Sequence, residues 1–423
     1  MIRTLLVVVV ACWAFSACSE PCVVVAGDCP NNCSGGPVGY GETCSGPSQC
    51  QCGLFCQGLT KTCAYYTGEN RGCLCGGVSV SAPGLPVLGS DTHSMENVEL
   101  TVIGTSSDGL RIPRDLEFNP EETDELWVAN RSTPGDERMV VFSGASSGSP
   151  SSKEYSGPTE HFFAQPSAIA FGAPDEFASI HETNVLTQGP DGPDKDFMGP
   201  TLQSTKPEDY DAGGKGHLDM LHNTPLGMGI AWERDRVYWI FDGFHDSITM
   251  YNFMADHGPG GTDHKDGIVH RYVEGDVKRK ANVPSHMEFD PASSLLYIAD
   301  TGTNRIATLD TTSGTLGSSF GPNRDGGTSQ YKMSGATLTT LVDGAEVDMS
   351  APSGLALYDG LLYVTDNETS KVLAFDPIDG ALIDWLDTGL PKGSLMGIEF
   401  GTDGSMWLVD AVEDRILRIT AKP

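Results

Sequence analysis

The residues best suited to chemistry are a few histidines and the carboxylates beside them. Gly216-His217-Leu218-Asp219-Met220-Leu221-His222 places two imidazoles and a carboxylate within seven residues, and Asp242-Gly243-Phe244-His245-Asp246 adds a third ring. His286 follows Val283-Pro284-Ser285. Neutral imidazoles with nearby carboxylates suit zinc or copper, and Asp219 or Asp246 could ligate or orient a ring. On this reading His217, His222, His245 and His286 form a metal set for Lewis-acid or metal-hydroxide chemistry. Neither spacing is a recognised ligand motif, so the competing reading is of loop histidines hydrogen-bonded to backbone. A second cluster, Asp256-His257-Gly258-Pro259-Gly260-Gly261-Thr262-Asp263-His264-Lys265-Asp266-Gly267, offers Asp256, Asp263 and Asp266 as oxygen ligands for calcium. It is not an EF-hand, and Asp-Gly is also ordinary hairpin-turn chemistry. Asp191, Asp194 and Asp196 make a weaker group of the same kind.

Other chemistries lack their context. Gly144-Ala145-Ser146-Ser147-Gly148 has the spacing of a nucleophile elbow, but it sits in a Ser/Gly-rich loop with no helix to follow. No glycine loop joins a strand to a helix as phosphate binding requires. With 26 Lys+Arg against 57 Asp+Glu, a formal net charge of -31 would be repelled by nucleic acid or an anionic membrane face. The 51 glycines and 26 prolines favour many tight turns over long helices.

The elements that must hold these residues come as a repeat. Its unit is Pro, two residues, an alternating apolar strand, a turn, a second strand ending in Asp or Asn, a polar loop and a third strand. Six copies begin at Pro113, Pro166, Pro225, Pro284, Pro352 and Leu395, where Leu replaces Pro. They are spaced by 53, 59, 59, 68 and 43 residues. The second strands include Leu126-Trp127-Val128-Ala129-Asn130, Leu296-Tyr297-Ile298-Ala299-Asp300 and Met406-Trp407-Leu408-Val409-Asp410; copy two is degenerate here. Period-two strands rich in β-branched and aromatic residues at this spacing fit one propeller blade per copy. Trp127, Tyr238, Trp239, Tyr297, Tyr363 and Trp407 recur at one repeat position and read as inter-blade core. The last copy runs out of chain, so its outer strand is expected from Val98-Glu99-Leu100-Thr101-Val102-Ile103, closing the ring.

This pattern, best seen in Asp300-Thr301-Gly302-Thr303-Asn304-Arg305-Ile306 and Asp410-Ala411-Val412-Glu413-Asp414-Arg415-Ile416, resembles the NHL repeat of six-bladed propellers. Within that class, peptidylamidoglycolate lyase domains carry metal-binding histidines directly after the inner-strand prolines. Here those positions hold Arg114, Ser167, Leu226, Ser285 and Ser353, and His286 is one residue late, which turns a strand side chain to the opposite face. The resemblance therefore implies the fold and not the lyase activity.

All twelve cysteines lie between Cys12 and Cys75. The first 18 residues read as an export signal, Met-Ile-Arg followed by an apolar run from Leu5 to Phe15 that is too short to span a bilayer. Phe15-Ser16-Ala17-Cys18 resembles a bacterial lipobox, with Phe in place of the usual Leu, and implies a lipid on Cys18. Either lipidation or a plain cut after Cys18 leaves ten cysteines for pairing: Cys22, Cys29, Cys33, Cys44, Cys50, Cys52, Cys56, Cys63, Cys73 and Cys75. The Gly/Pro/Ser-rich segment around them has few aliphatic residues, so bridges worth about 2 to 4 kcal/mol each must stabilise it in an oxidising compartment. Gly41 to Cys63 resembles small extracellular cysteine-rich modules with a C-x5-C-x-C-G-L-x-C core. Asn32, Asn130 and Asn367 lie in sequons that a eukaryotic source would glycosylate.

The expected molecule is all-β: an export signal over 1–18, a disulfide module over 19–75, a linker over 76–96 and a six-bladed NHL-like propeller over 97–423. Its function is expected to be exported or cell-surface binding of an extracellular protein or glycan, with no nucleic acid partner and membrane contact only through an N-terminal lipid. The alternatives are a metal-dependent propeller lyase or hydrolase and a structural subunit of an extracellular assembly.

Overall fold

The structure, a computed structural model, describes residues 54–56, 63–65 and 84–422 apart from 132–137, 148, 157–162, 184–197, 212–215 and 262. The chain divides into two units, Met1–Pro83 and Gly84–Pro423. In the first, Leu54–Cys56 pairs antiparallel with Cys63–Tyr65, placing Cys56 opposite Cys63. The other cysteines, the signal with Cys18, and Asn32 lie outside the described residues.

The second unit is a six-bladed β-propeller. Blade one is Pro113–Phe118, Glu125–Asn130, Arg138–Ser143 and Ser151–Ser156; blade two is Pro166–Phe171, Glu176–His181, Thr201–Ser204 and His217–Met220. Blade three is Gly227–Arg234, Val237–Asp242, Ser247–Asn252 and Ile268–Tyr272; blade four is Met287–Asp290, Leu295–Asp300, Arg305–Asp310 and Leu338–Asp343. Blade five is Pro352–Tyr358, Leu361–Asp366, Lys371–Phe375 and Leu382–Asp387. Blade six takes Leu395–Phe400, Met406–Asp410 and Arg415–Ala421 from the C-terminus, and Val98–Gly104 supplies its outer strand with Ile419 opposite Leu100. The ring thus closes as the alternating Val98–Ile103 segment predicts, and blade six gains the fourth strand that the other blades have.

Each blade is antiparallel, so the inner strand begins, and the second strand ends, on the same side of the ring. We call this the entry face. The repeated Asp there has a structural reason. Asp366 accepts from the backbone N–H groups of Ser350 (2.6 Å), Ala351 (2.9 Å) and Glu368 (2.9 Å), tying the second-strand turn to the chain that enters the blade. Asp300 takes Lys278 N at 2.8 Å and Arg305 Nε at 2.8 Å, and Asp410 takes Val412 N, Glu413 N and Arg415. In blades three to six the residue before the third strand, Asp246, Asn304, Ser370 or Asp414, is left-handed, with φ of 51–57°, where Asn and Asp are the most tolerant side chains after Gly.

The recurring aromatics are buried between blades, as their position predicts. Trp127 packs edge-on against Phe171 and Phe177 of blade two, and Trp407 against Phe118 of blade one. At the axis the inner strands crowd: a Cβ on Gly229 would stand 1.9 Å from Ser285 O, and one on Gly354 2.2 Å from Met396 O. The Ser after the inner-strand Pro bridges neighbours there, Ser167 Oγ donating to Gly227 O at 2.7 Å and Ser353 Oγ to Leu395 O at 3.2 Å.

Two features depart from the sequence expectation. The wide spacing after Pro284 hides a hairpin, Thr315–Ser319 with Ser329–Ser334, which leaves blade four and extends blade three through a parallel pairing with Ile268–Tyr272. The linker boundary also moves, because residues from Gly84 onward pack on blade five. Leu85 N donates to Asp384 Oδ2 at 2.7 Å, and the His93 ring stacks on Trp385 at 4.4 Å.

Candidate functional site

Two places gather polar groups beyond what the blades require: the axis of the ring, and the outer rim between blades two and three. On the axis, Arg114 is the second residue of blade one's inner strand and is only 3% exposed. Its Nη1 donates to Asn282 O and lies 2.8 Å from Met396 Sδ, while its Nε is buried without a hydrogen-bond partner. Among the described residues no carboxylate forms an ion pair with it. Burial, with the Arg131 charge beside it, lowers its pKa to about 10, so it stays cationic at neutral pH.

Around Arg114 the entry-face loops form a charged rim. Glu182 is buried between Arg131 (3.3 Å), Arg279 (3.1 Å) and the backbone N–H of Asn282 (2.8 Å). Glu368 meets Lys280 at 3.0 Å and Lys392. Arg131 and Arg279 thus flank Glu182, and Lys280 and Lys392 flank Glu368, while the aspartates of the same face bond backbone N–H groups or basic side chains near them.

Along the same channel the inner strands carry carboxylates. Asp115 bridges blades, accepting from Leu116 N at 2.9 Å and Ile169 N at 2.8 Å, with His286 Nδ1 3.4 Å away. Glu117, Glu288 and Glu399 are half-buried yet surrounded by protein; burial raises all three, with repulsion from Asp115 and, for Glu117 and Glu288, from Glu399. Glu399 is pushed up to about 7. Sequence reasoning singled out none of these groups; the available signal was their position within inner strands, where period two otherwise calls for apolar residues.

The four sequence-chosen histidines have different surroundings. His217 is in the outer strand of blade two, not in a loop entering blade three, and its Nε2 pairs with Gly261 O at 2.8 Å. His222 Nδ1 bonds Asp325, His245 Nδ1 bonds Asp242 Oδ2 at 2.7 Å, and His286 Nε2 faces Ser167 O at 3.3 Å. Their hydrogen bonds thus reach four separate partners. The calcium trio also divides: Asp256 pairs with Arg236 at 2.9 Å and caps Gly258 N, while Asp266 Oδ1 takes His257 Nε2 at 2.9 Å. Two sequons have engaged amides. Asn130 Nδ2 donates to Gly109 O and Asn367 Nδ2 to Leu395 O, both side chains being buried.

At the rim the fold joins two segments that the sequence keeps apart. The 253–267 loop, between the outer strands of blade three as its Asp-Gly chemistry predicts, folds over blade two's outer strand, with Gly260 N donating to His217 O at 2.8 Å. This brings Asp219, His257 and Asp266 together, with ligand atoms within 4.8 Å of one another. Asp219 is fully buried; its Oδ1 accepts from His264 Nδ1 at 2.5 Å and Met220 N at 2.7 Å, and burial raises its pKa.

No helix among the described residues is long and apolar enough to cross a membrane. No family model and no curated protein matches the chain. Solved propeller structures do. An auxiliary nutrient binding protein from Bacteroides thetaiotaomicron shares 11% identity over 77% of each chain with a TM-score of 0.50. Its counterpart from Bacteroides ovatus shares 12% over 77% of each chain with a TM-score of 0.49. A virginiamycin B lyase from Staphylococcus aureus shares 12% over 76% of this chain and 99% of its own, with a TM-score of 0.43. At such identities the likeness concerns the fold alone: this chain carries an all-β, six-bladed propeller.

Proposed function

We propose that the protein is an exported binding module, secreted or lipid-anchored through Cys18, whose NHL-like propeller captures an anionic group of an extracellular protein or glycan at the entry-face mouth. The observation that carries this reading is Arg114: a buried guanidinium with no carboxylate ion pair among the described residues, beside the Arg131–Glu182–Arg279 group. A buried charge without a counter-ion is costly, and a ligand carboxylate or sulfate would supply one. Export itself rests on the apolar leader and the ten clustered cysteines. The charged side chains at the mouth suit recognition of a polar partner.

The test is a binding comparison of neutral, uronic and sulfated oligosaccharides and acidic peptides with the secreted chain. Acidic ligands should bind, should weaken as salt rises, and should lose at least tenfold in affinity on Arg131→Gln with Arg279→Gln. Equal binding of neutral ligands, or indifference to the double substitution, would overturn the reading. Sedimentation of the same sample as large polymers would favour the assembly subunit instead.

A further inference from the structure

Outside the mouth, Asp219 contributes a buried carboxylate oxygen that has no partner among the described residues. Asp219 Oδ2 makes no hydrogen bond although the residue is wholly buried, and His257 Nε2 stands 4.0 Å from it. Such an oxygen normally carries a cost that a hydrogen bond or a cation must offset. We propose that Asp219 Oδ2, His257 Nε2 and Asp266 Oδ1 are the protein ligands of a divalent transition-metal site, zinc being the ion that fits best.

The donors are already arranged around a point. Ligand atoms about 2.0–2.1 Å from a tetrahedral zinc lie about 3.3 Å apart. The two measured separations, 2.9 Å from His257 Nε2 to Asp266 Oδ1 and 4.0 Å to Asp219 Oδ2, fall on either side of that value. The remaining oxygens are held from behind: His264 Nδ1 and Met220 N fix Asp219 Oδ1, and Ala255 N donates to Asp266 Oδ2 at 3.3 Å. Ligating carboxylates in metal sites are themselves held by hydrogen bonds, as Asp219 is here by His264 and Met220. One imidazole among two carboxylates favours zinc over calcium, which takes six to eight oxygens. Binding displaces the His257 proton now shared with Asp266, and three protein ligands leave a position for water. The ion would fasten the blade-three loop to the outer strand of blade two, where the backbone bond between Gly260 N and His217 O already joins them.

The experiment is titration of zinc into the chelator-stripped, oxidised full chain, read by calorimetry and by melting temperature. One equivalent should bind and raise the melting temperature. His257→Gln, which keeps a polar side chain at a half-buried loop position, should weaken zinc at least tenfold and abolish the shift with circular dichroism unchanged. Asp219→Asn and Asp266→Asn should do the same with circular dichroism unchanged, and His245→Ala should bind as the parent does. No zinc binding, binding untouched by His257→Gln, or an equal shift with calcium would each overturn the site.

Discussion

The turns of the entry face and the rim between blades two and three both bury aspartates, and they use them differently. Asp300, Asp366 and Asp410 direct their oxygens at backbone N–H groups or at an arginine of their own blade. Asp219 keeps one oxygen for His264 and Met220 and leaves the other without a partner. The same side chain is a structural fastener where the repeat is regular and a candidate ligand where it is not. Blade two is where the repeat fails: its second strand ends in His181 instead of Asp, and its outer strands are four residues each.

Four measurements would sharpen or break this contrast. Asp366→Ala strips acceptors from three backbone donors at once, and urea unfolding should show a loss of about 3–5 kcal/mol. A loss below about 1 kcal/mol would mean that the turn carboxylates are not fasteners.

The channel glutamates should behave as a third kind, set apart by protonation, since burial raises Glu117, Glu288 and Glu399 alike. Glu399 is raised from 4.5 to about 7, so the folded state holds its proton where the unfolded chain has released it. Stability is therefore present at low pH and falls as pH rises from about 4.5 to about 7, by about 2–3 kcal/mol from this group. Glu399→Gln should flatten that slope in denaturation profiles, and an unchanged slope would remove Glu399 as its source.

At the rim, Asp219→Asn should change the stability of metal-free protein by no more than about 1 kcal/mol, because the amide oxygen can keep the bonds to His264 and Met220. A loss as large as that of Asp366→Ala would make Asp219 another fastener. Smallest of all, Lys206→Ala at the exposed pair with Asp175 (2.8 Å) should leave the melting temperature unchanged, and a clear thermal shift would show that surface pairs matter here.

Much of the fold was legible because its causes are local. Alternation in Leu296-Tyr297-Ile298-Ala299, the Asp after it and the Asn before Arg305 each answer a constraint met within one hairpin. Ring closure was legible too, since an orphan strand pattern at Val98 and a blade short of a strand leave a single economical pairing. Blade two was harder to read, for its second strand mixes Phe177, Ala178 and Ile180 with Ser179 and His181, all buried. The hairpin inserted in blade four was missed because its strands, mostly exposed in Thr315–Ser319, carry no amphipathic signature.

The sites divide along the same line. Residue types and spacing were enough to nominate Asp219, Asp266 and the Asp256–Gly267 loop, since carboxylates and imidazoles advertise their chemistry wherever they stand. What the chain could not reveal is which nominees meet. Asp219 and His257 are 38 residues apart and belong to different blades, and only the packing of a blade-three loop on a blade-two strand sets Nε2 at 4.0 Å from Oδ2. Arg114 shows the same limit from the other side. A cation in an inner strand is ordinary as sequence, and it becomes a buried charge lacking a counter-ion only when six blades close around it. Period and turn chemistry are properties of short segments; coordination and uncompensated charge depend on distances between segments, which exist only once the ring has formed.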